Sequence, residues 1–223
     1  MKRSKINELI KEAIAFTNKM NFKLPPFAYW SKEDWESKSD EYDEIRDNML
    51  GWDITDFGSG DFEKIGLLLF TIRNGSQKDE RYKKTYAEKI LISEVNQVTP
   101  CHFHWSKMED IINRGGGELV IRVHNSTEDG RLDDTDVTVY KDGRRYTVPA
   151  GSEVRLLPGE SITLRQGLYH EFWAEREKVL VGEVSMVNDD TSDNRFLVPA
   201  GRFPEIEEDV PATHCLATEY PTA

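Results

Sequence analysis

VTPCHFHWSKMEDIINRGGGELVIRV, residues 98–123, is the stretch on which both fold and chemistry turn. His102 and His104 stand two residues apart, so on a β-strand both imidazoles project from one face and can reach one ion. Glu109 follows His104 by five residues, enough for a turn through 105–108 that brings a carboxylate back beside the rings. Gly115 to Gly117 predict a further tight turn, after which 118–123 read as an apolar, alternating strand. Well downstream, Gln166-Gly167-Leu168-Tyr169-His170 supplies a third imidazole.

Neutral imidazoles and a carboxylate are the donors of a divalent transition ion. Three nitrogens and one oxygen leave two open positions on an octahedral ion, a mixed set that suits manganese, iron, cobalt, nickel or zinc rather than calcium. Two adjacent oxygens fit those positions, and the vicinal hydroxyl and carbonyl of an opened sugar are such a pair. Polarising that carbonyl stabilises an enediolate, the chemistry of aldose and ketose interconversion. The His-x-His pair, the glutamate, the glycine run and the later Gly167-x-x-His170 together resemble the two signature motifs of the cupin superfamily. That resemblance implies an all-β cupin barrel of jelly-roll type in which His102, His104, Glu109 and His170 bind one divalent metal.

Composition narrows the partners. The chain has 41 acidic against 29 basic residues and a formal net charge of −12, so a polyanion meets repulsion and nucleic-acid binding is not expected. No apolar stretch nears the length of a membrane span and no secretory leader pattern opens the chain, so no membrane partner and a cytoplasmic location are expected. Cys101 and Cys215 make a poor disulfide framework, and Cys101, turned away from its histidine neighbours on a regular strand, is expected to pack. A length of 223 residues suits one β-barrel domain spanning 1–223.

Ahead of the barrel, Ile6, Leu9, Ile10, Ala13 and Ile14 recur at helical spacing, predicting an amphipathic helix over 4–20 that Ser4 can cap. Pro25 and Pro26 break it, and 31–35 read as the cap and first turn of a short second helix. Residues 1–50 are thus a helical extension packed on the barrel. A strand and loop are predicted over 51–58, and a buried strand over 66–72 ended by Asn74-Gly75. From residue 86 onward strands and turn signals succeed one another with little room for helices. They include a hairpin through Lys141-Asp142-Gly143-Arg144 and a last strong strand over 178–187.

An isomerase also needs a group that moves a proton between C2 and C1. On the strand 178–187 alternation puts Val179, Val181, Glu183 and Ser185 on one face, so Glu183 is a carboxylate set in an apolar row and the leading base. A structural salt bridge at the barrel mouth is the competing account of that residue. Lys89 is a charge in the strand just upstream of the ligands, and Lys107 lies between two of them; either can steady a charged oxygen. Residues 86–90, 102–117, 182–190 and 193–196 closely resemble the D-lyxose ketol-isomerase family, the run 109–117 being the most specific. The resemblance covers most of the chain. It implies a homodimer that interconverts D-lyxose with D-xylulose and D-mannose with D-fructose, with one manganese ion per subunit. Within that frame the expected sugar contacts are Lys89, Lys107, Glu109, Glu183, Asp193 and Arg202, with Glu183 and Lys107 catalytic.

Two other readings use the same ligands. A cupin dioxygenase would hold iron with open sites for substrate and oxygen, and a sugar-binding sensor would recognise its ligand without converting it. The charged Lys89, Lys107 and Glu183 around an intact metal set favour catalysis.

Overall fold

The predicted apolar stripe does form one face of a helix. In the computed structural model, which describes residues 1–190, 192–201 and 205–221, α1 spans Arg3–Lys19 and buries Ile6, Leu9, Ile10 and Ala13. Ser4 does not cap it. The cap position is Lys2, without a side-chain bond, and the Ser4 hydroxyl donates to Asp209 at 2.7 Å in the C-terminal segment. Arg3, buried at the same end, donates to Glu208 and Glu219, tying the start of the chain to its end. The second helix behaves as its sequence reads: α2 (Lys32–Glu36) begins with a reciprocal capping box between Ser31 and Asp34. A third short helix, α3 (Asp43–Asp47), completes the extension.

Twelve strands follow among the described residues. They are β1 (Gly51–Thr55), β2 (Leu67–Arg73), β3 (Tyr86–Ser93), β4 (Thr99–His104), β5 (Glu109–Ser126), β6 (Leu132–Asp133), β7 (Val137–Lys141), β8 (Arg144–Val148), β9 (Ser152–Leu156), β10 (Ser161–Leu164), β11 (Tyr169–Met186) and β12 (Asn194–Phe196). All pair antiparallel. One sheet runs β1-β2-β3-β11-β5-β10-β7-β8. The first half of β11 also pairs with β4, β4 with β12, and the second half of β5 with β9. The long strands β5 and β11 are therefore shared by two sheets, the two-layer architecture expected from the sequence.

Alternation sorts the strand residues between two cores. Leu67, Leu69, Leu91, Val179 and Val181 point into the barrel with Ile111, Leu119 and Phe172. Their neighbours Leu68, Phe70, Ile90, Ile92 and Leu180 point the other way and meet Ile6, Leu9 and Ile10 of α1. Covering both faces explains why β2 and the second half of β11 read as nearly continuous apolar runs. Trp52 of β1 fastens the extension by donating its indole N–H to Ala28 O at 2.9 Å.

The glycine run is not a turn between strands, as its sequence suggested. It lies inside the unbroken β5, and the predicted strand 178–187 is the second half of an eighteen-residue β11. Between these halves the β5–β11 register shifts twice, between Glu175 and Val179 and between Leu180 and Val181. The shift reverses the alternation of β11: Phe172 and Ala174 face the barrel before it, Val179 and Val181 after it. Gly116 adopts φ +105°, and a Cβ there would lie 2.1 Å from the Lys178 carbonyl oxygen. Asn113, fully buried, closes the bulge: its Nδ2 donates to Gly117 O and Leu156 O, both at 2.9 Å, and its Oδ1 accepts from Gly115 N at 3.0 Å.

Gly116→Ala is expected to cost about 3 kcal/mol or more of unfolding free energy, because the methyl meets backbone that cannot yield. Gly143→Ala, in the β7–β8 hairpin turn with open space around the added carbon, should cost only about 1 kcal/mol through its backbone angle. Urea melts of the two variants give the comparison, and equal losses would refute the close-packed corner.

Candidate active site

The two sheets contribute different chemistry to the space between them. His102 and His104 on β4 and His170 on the first half of β11 bring imidazoles from one sheet, with His102 and His170 directly paired across the strands. Lys89 on β3, Glu109 at the start of β5 and Glu183 on the second half of β11 bring charges from the other. All six, and Lys107 between β4 and β5, are buried. Positions 170 and 183 are an odd number of residues apart, so on a regular strand they would face opposite sides. The bulge turns both into one cavity of about 430 Å³.

The histidines have metal-ligand geometry. One nitrogen from each of His102, His104 and His170 falls within 4.8 Å of the others, and donors sharing an ion at about 2.1 Å lie about 3–4 Å apart. His102 Nδ1 stands 2.7 Å from Pro100 O and His170 Nδ1 3.0 Å from Leu168 O. A carbonyl only accepts, so each Nδ1 carries a hydrogen, which in the neutral imidazole leaves Nε2 as the lone-pair nitrogen; such an outer partner is one that ligating histidines commonly have. Burial, then the neighbouring His170 and His104, hold His102 well below the usual imidazole range, and so neutral. His170 Nε2 is buried without a hydrogen-bond partner, facing Glu109 Oε1 at 3.3 Å, the same oxygen that stands 3.3 Å from His104 Nε2. Lone pairs so opposed are stabilised by a cation between them. These residues fit a divalent ion.

A network of charges adjoins the histidines. Lys107 Nζ lies 2.7 Å from Glu109 Oε2, 2.9 Å from Glu183 Oε1 and 3.2 Å from Asn188 Oδ1, so each of its three N–H bonds has an acceptor. Burial works against the ammonium, but Glu109 and Glu183 outweigh it and hold Lys107 above the usual lysine range. Burial likewise raises Glu109, and the charge of Lys107 and the contact with His104 more than offset it, leaving that carboxyl well below the usual carboxylate range. Lys89 Nζ stands 3.7 Å from Glu183 Oε1 and 3.6 Å from Asp190 Oδ1. Among the described residues the cavity wall holds four carboxylates, Asp53, Glu109, Glu183 and Asp190, against the two ammonium groups. Among these residues the formal balance is negative, which favours a cation.

Of the residues singled out in the sequence, the structure brings His102, His104, His170, Glu109, Lys107, Lys89 and Glu183 to one cavity. Asp193 lies behind it, with its carboxylate bonded to the Ser106 and Lys107 amides at 2.7 and 2.9 Å. Arg202 is outside the described residues. Sequence reasoning passed over Asp53, Asn188, Asp190 and Phe196. Phe196 stacks on His102 with ring centroids 5.2 Å apart. The pairing of β12 with β4 carries Asn194 to Phe196 to the histidines, and the Asn74 clamp holds Asn188; no sequence signal pointed from Asp53 to this site. Cys101 is half-buried, its thiol pushed up to about 12 by burial and then by Glu171, in keeping with packing rather than reactivity.

An all-β, cupin-like fold with a buried histidine triad able to hold an ion is the frame of a cupin-type sugar isomerase. L-ribose isomerase of Cellulomonas parahominis, solved with L-ribose, aligns over 93% of this chain and 98% of its own, with TM-score 0.61 and 16% identity. A variant of L-ribose isomerase from Acinetobacter sp. DL28 with L-ribose gives TM-score 0.63 at 15% identity over the same shares. These are likenesses of fold. The D-lyxose isomerase family model matches residues 1–220, and the chain belongs to that family. A D-lyxose/D-mannose isomerase of Serratia proteamaculans is 51% identical over 99% of this chain and 98% of its own. One of Escherichia coli O157:H7 is 50% identical over the same shares. The chain is accordingly a sugar isomerase, and the dioxygenase and sensor readings find no support among these relatives. No described helix is long and apolar enough to cross a membrane.

Titration with Co²⁺, followed by its visible absorption, is expected to saturate at one ion per chain. His170→Ala should weaken binding by more than about 100-fold, since removing even an outer partner of a ligand costs 10- to 100-fold. Unchanged affinity in that variant would remove His170 from the ligand set.

Proposed function

We propose that this chain interconverts D-lyxose with D-xylulose and D-mannose with D-fructose, by moving a proton between C2 and C1 of the opened sugar through an enediol. What carries the reading is a buried carboxylate, Glu183, held against Lys107 in the same cavity as the three histidines. The names of the two relatives at about half identity support the choice of sugars. Each ketose is what the named aldose becomes when hydrogen passes from C2 to C1.

A divalent ion held by His102, His104, His170 and Glu109, with manganese the proposed ion, would supply Lewis acidity toward adjacent carbonyl and hydroxyl oxygens. Glu183 takes the proton from C2 and returns it to C1, acting as base and then as acid. Lys107, bonded to both Glu183 and Glu109, keeps a positive charge beside the oxygens on which negative charge develops. Lys89 supports Glu183 from the other side and links it to Asp190. Leu67, Leu69, Leu91, Ile111 and Phe172 line much of the remaining cavity, with Thr55, Thr99 and Asn194 as polar members. Glu183 is only 5 % exposed, and that burial strengthens its charge interactions and slows exchange of the transferred proton. A homodimer and a cytoplasmic location belong to the same proposal; sedimentation as a monomer at working concentration would remove the dimer.

Glu183→Gln is expected to lower turnover of D-lyxose and D-mannose by at least about 1,000-fold, within the usual range for losing an acid–base group, while metal content stays at the wild-type level. NMR of the manganese-loaded protein in deuterated water follows ketose formation and deuterium at carbon together. Undiminished turnover in the variant would exclude Glu183 as the base.

A further inference from the structure

We propose that Asp193 is a positioning residue for Lys107, acting through the backbone of the β4–β5 loop and not on the sugar. The inference rests on the reading that Lys107 and Glu183 act together. Three successive amides of that loop converge on this one residue: Trp105 N donates to Asp193 O at 3.1 Å, Ser106 N to Oδ1 at 2.7 Å and Lys107 N to Oδ2 at 2.9 Å. Consecutive N–H groups aimed at one anion form a nest, an arrangement in which a carboxylate fixes local backbone direction.

Elsewhere the loop is held at its carbonyls, Ser106 O accepting from Gln166 Nε2 at 3.0 Å and Met108 O from Met186 N at 3.1 Å, so it is Asp193 that fixes its amides. Trp105, Ser106 and Met108 are exposed, and Lys107 alone turns inward and is buried. Its tip is fixed by Glu109, Glu183 and Asn188. Asn188 is itself clamped by Asn74, whose Oδ1 accepts from Asn188 N and whose Nδ2 donates to Asn188 O, both at 3.0 Å. Asp193 fixes the other end of the side chain, at its own backbone. The two ends together set where the ammonium stands between the carboxylates, and misplacing a catalytic group by about 1 Å can cost about 100-fold in rate. Both oxygens of Asp193 are engaged by amides, and the residue is not among those lining the cavity.

Asp193→Asn keeps the size but sets an NH₂ donor against an N–H donor. It is expected to lower kcat about 10- to 100-fold while the KM for D-lyxose stays within about twofold and metal content is unchanged. The second readout needs no activity. In protein carrying ¹⁵N-labelled lysine, the Lys107 ammonium resonance, assigned by its loss in Lys107→Met, should shift or broaden in Asp193→Asn while that of Lys89 stays put. If the asparagine variant does not fold, Asp193→Glu, which keeps the charge and both acceptors, should show the same signature with a smaller loss of kcat. An unmoved Lys107 resonance, or a raised KM with kcat intact, overturns the proposal. Failure of the mechanism itself would show separately, as full activity in Glu183→Gln, and would leave the resonance test standing.

Discussion

The bulge shared by β5 and β11 sets the direction of the groups at the site. Two long strands pass there from one sheet into the other, and the extra residues reverse which side chains of β11 face the barrel. Without that reversal His170 could face the metal position or Glu183 could face the cavity, but one strand could not offer both. The corner depends on backbone groups packed too closely for any side chain at Gly116. Asn113 satisfies the hydrogen-bonding groups that the broken ladder leaves, at no exposure to water. A polar residue so deeply buried is favourable only because its amide finds partners on both sides of the bulge.

Two sheets meeting at a corner also separate the donors by kind. Imidazoles come from β4 and the first half of β11, and charged groups from β3, the start of β5 and the second half of β11. Burying this many charges is costly unless each is paired. Lys107 meets that condition with three acceptors for three hydrogens, one of them the proposed base and one a proposed ligand. The same lysine therefore touches both the proposed metal ligand and the proposed base. The formal negative excess among the described residues of the cavity wall favours a cation there, beyond the number of available donor atoms.

Much of this was legible from residue order. Strand alternation placed His102 with His104, and Glu183 with Val179 and Val181, because the pleat repeats every two residues whatever the surroundings. Apolar spacing found α1, and the Ser31 and Asp34 pair marked α2, because both signals are local. The failures came where local signals compete with distant partners. Three glycines in a row usually announce a turn, yet here they relieve crowding inside a strand whose neighbour, β11, is some sixty residues further along. Ser4 has the chemistry of a cap, but Asp209 from the far end of the chain takes its hydroxyl.

By itself the sequence determined the ligand types, the strand rhythm of the barrel, the amphipathic helix and, through its motifs, the family. These are properties of neighbouring residues and of their spacing, which the backbone repeat converts directly into faces. Only the tertiary structure decided that His170 and Glu183 look into one cavity, that Asp190 and Asn188 join the two lysines there, and that Asp193 grips the loop beneath Lys107. Such relations depend on strand register and on a bulge. Shifting a register by one residue turns a strand's side chains to the opposite face, and the register is fixed by packing and hydrogen bonds between segments far apart in the chain.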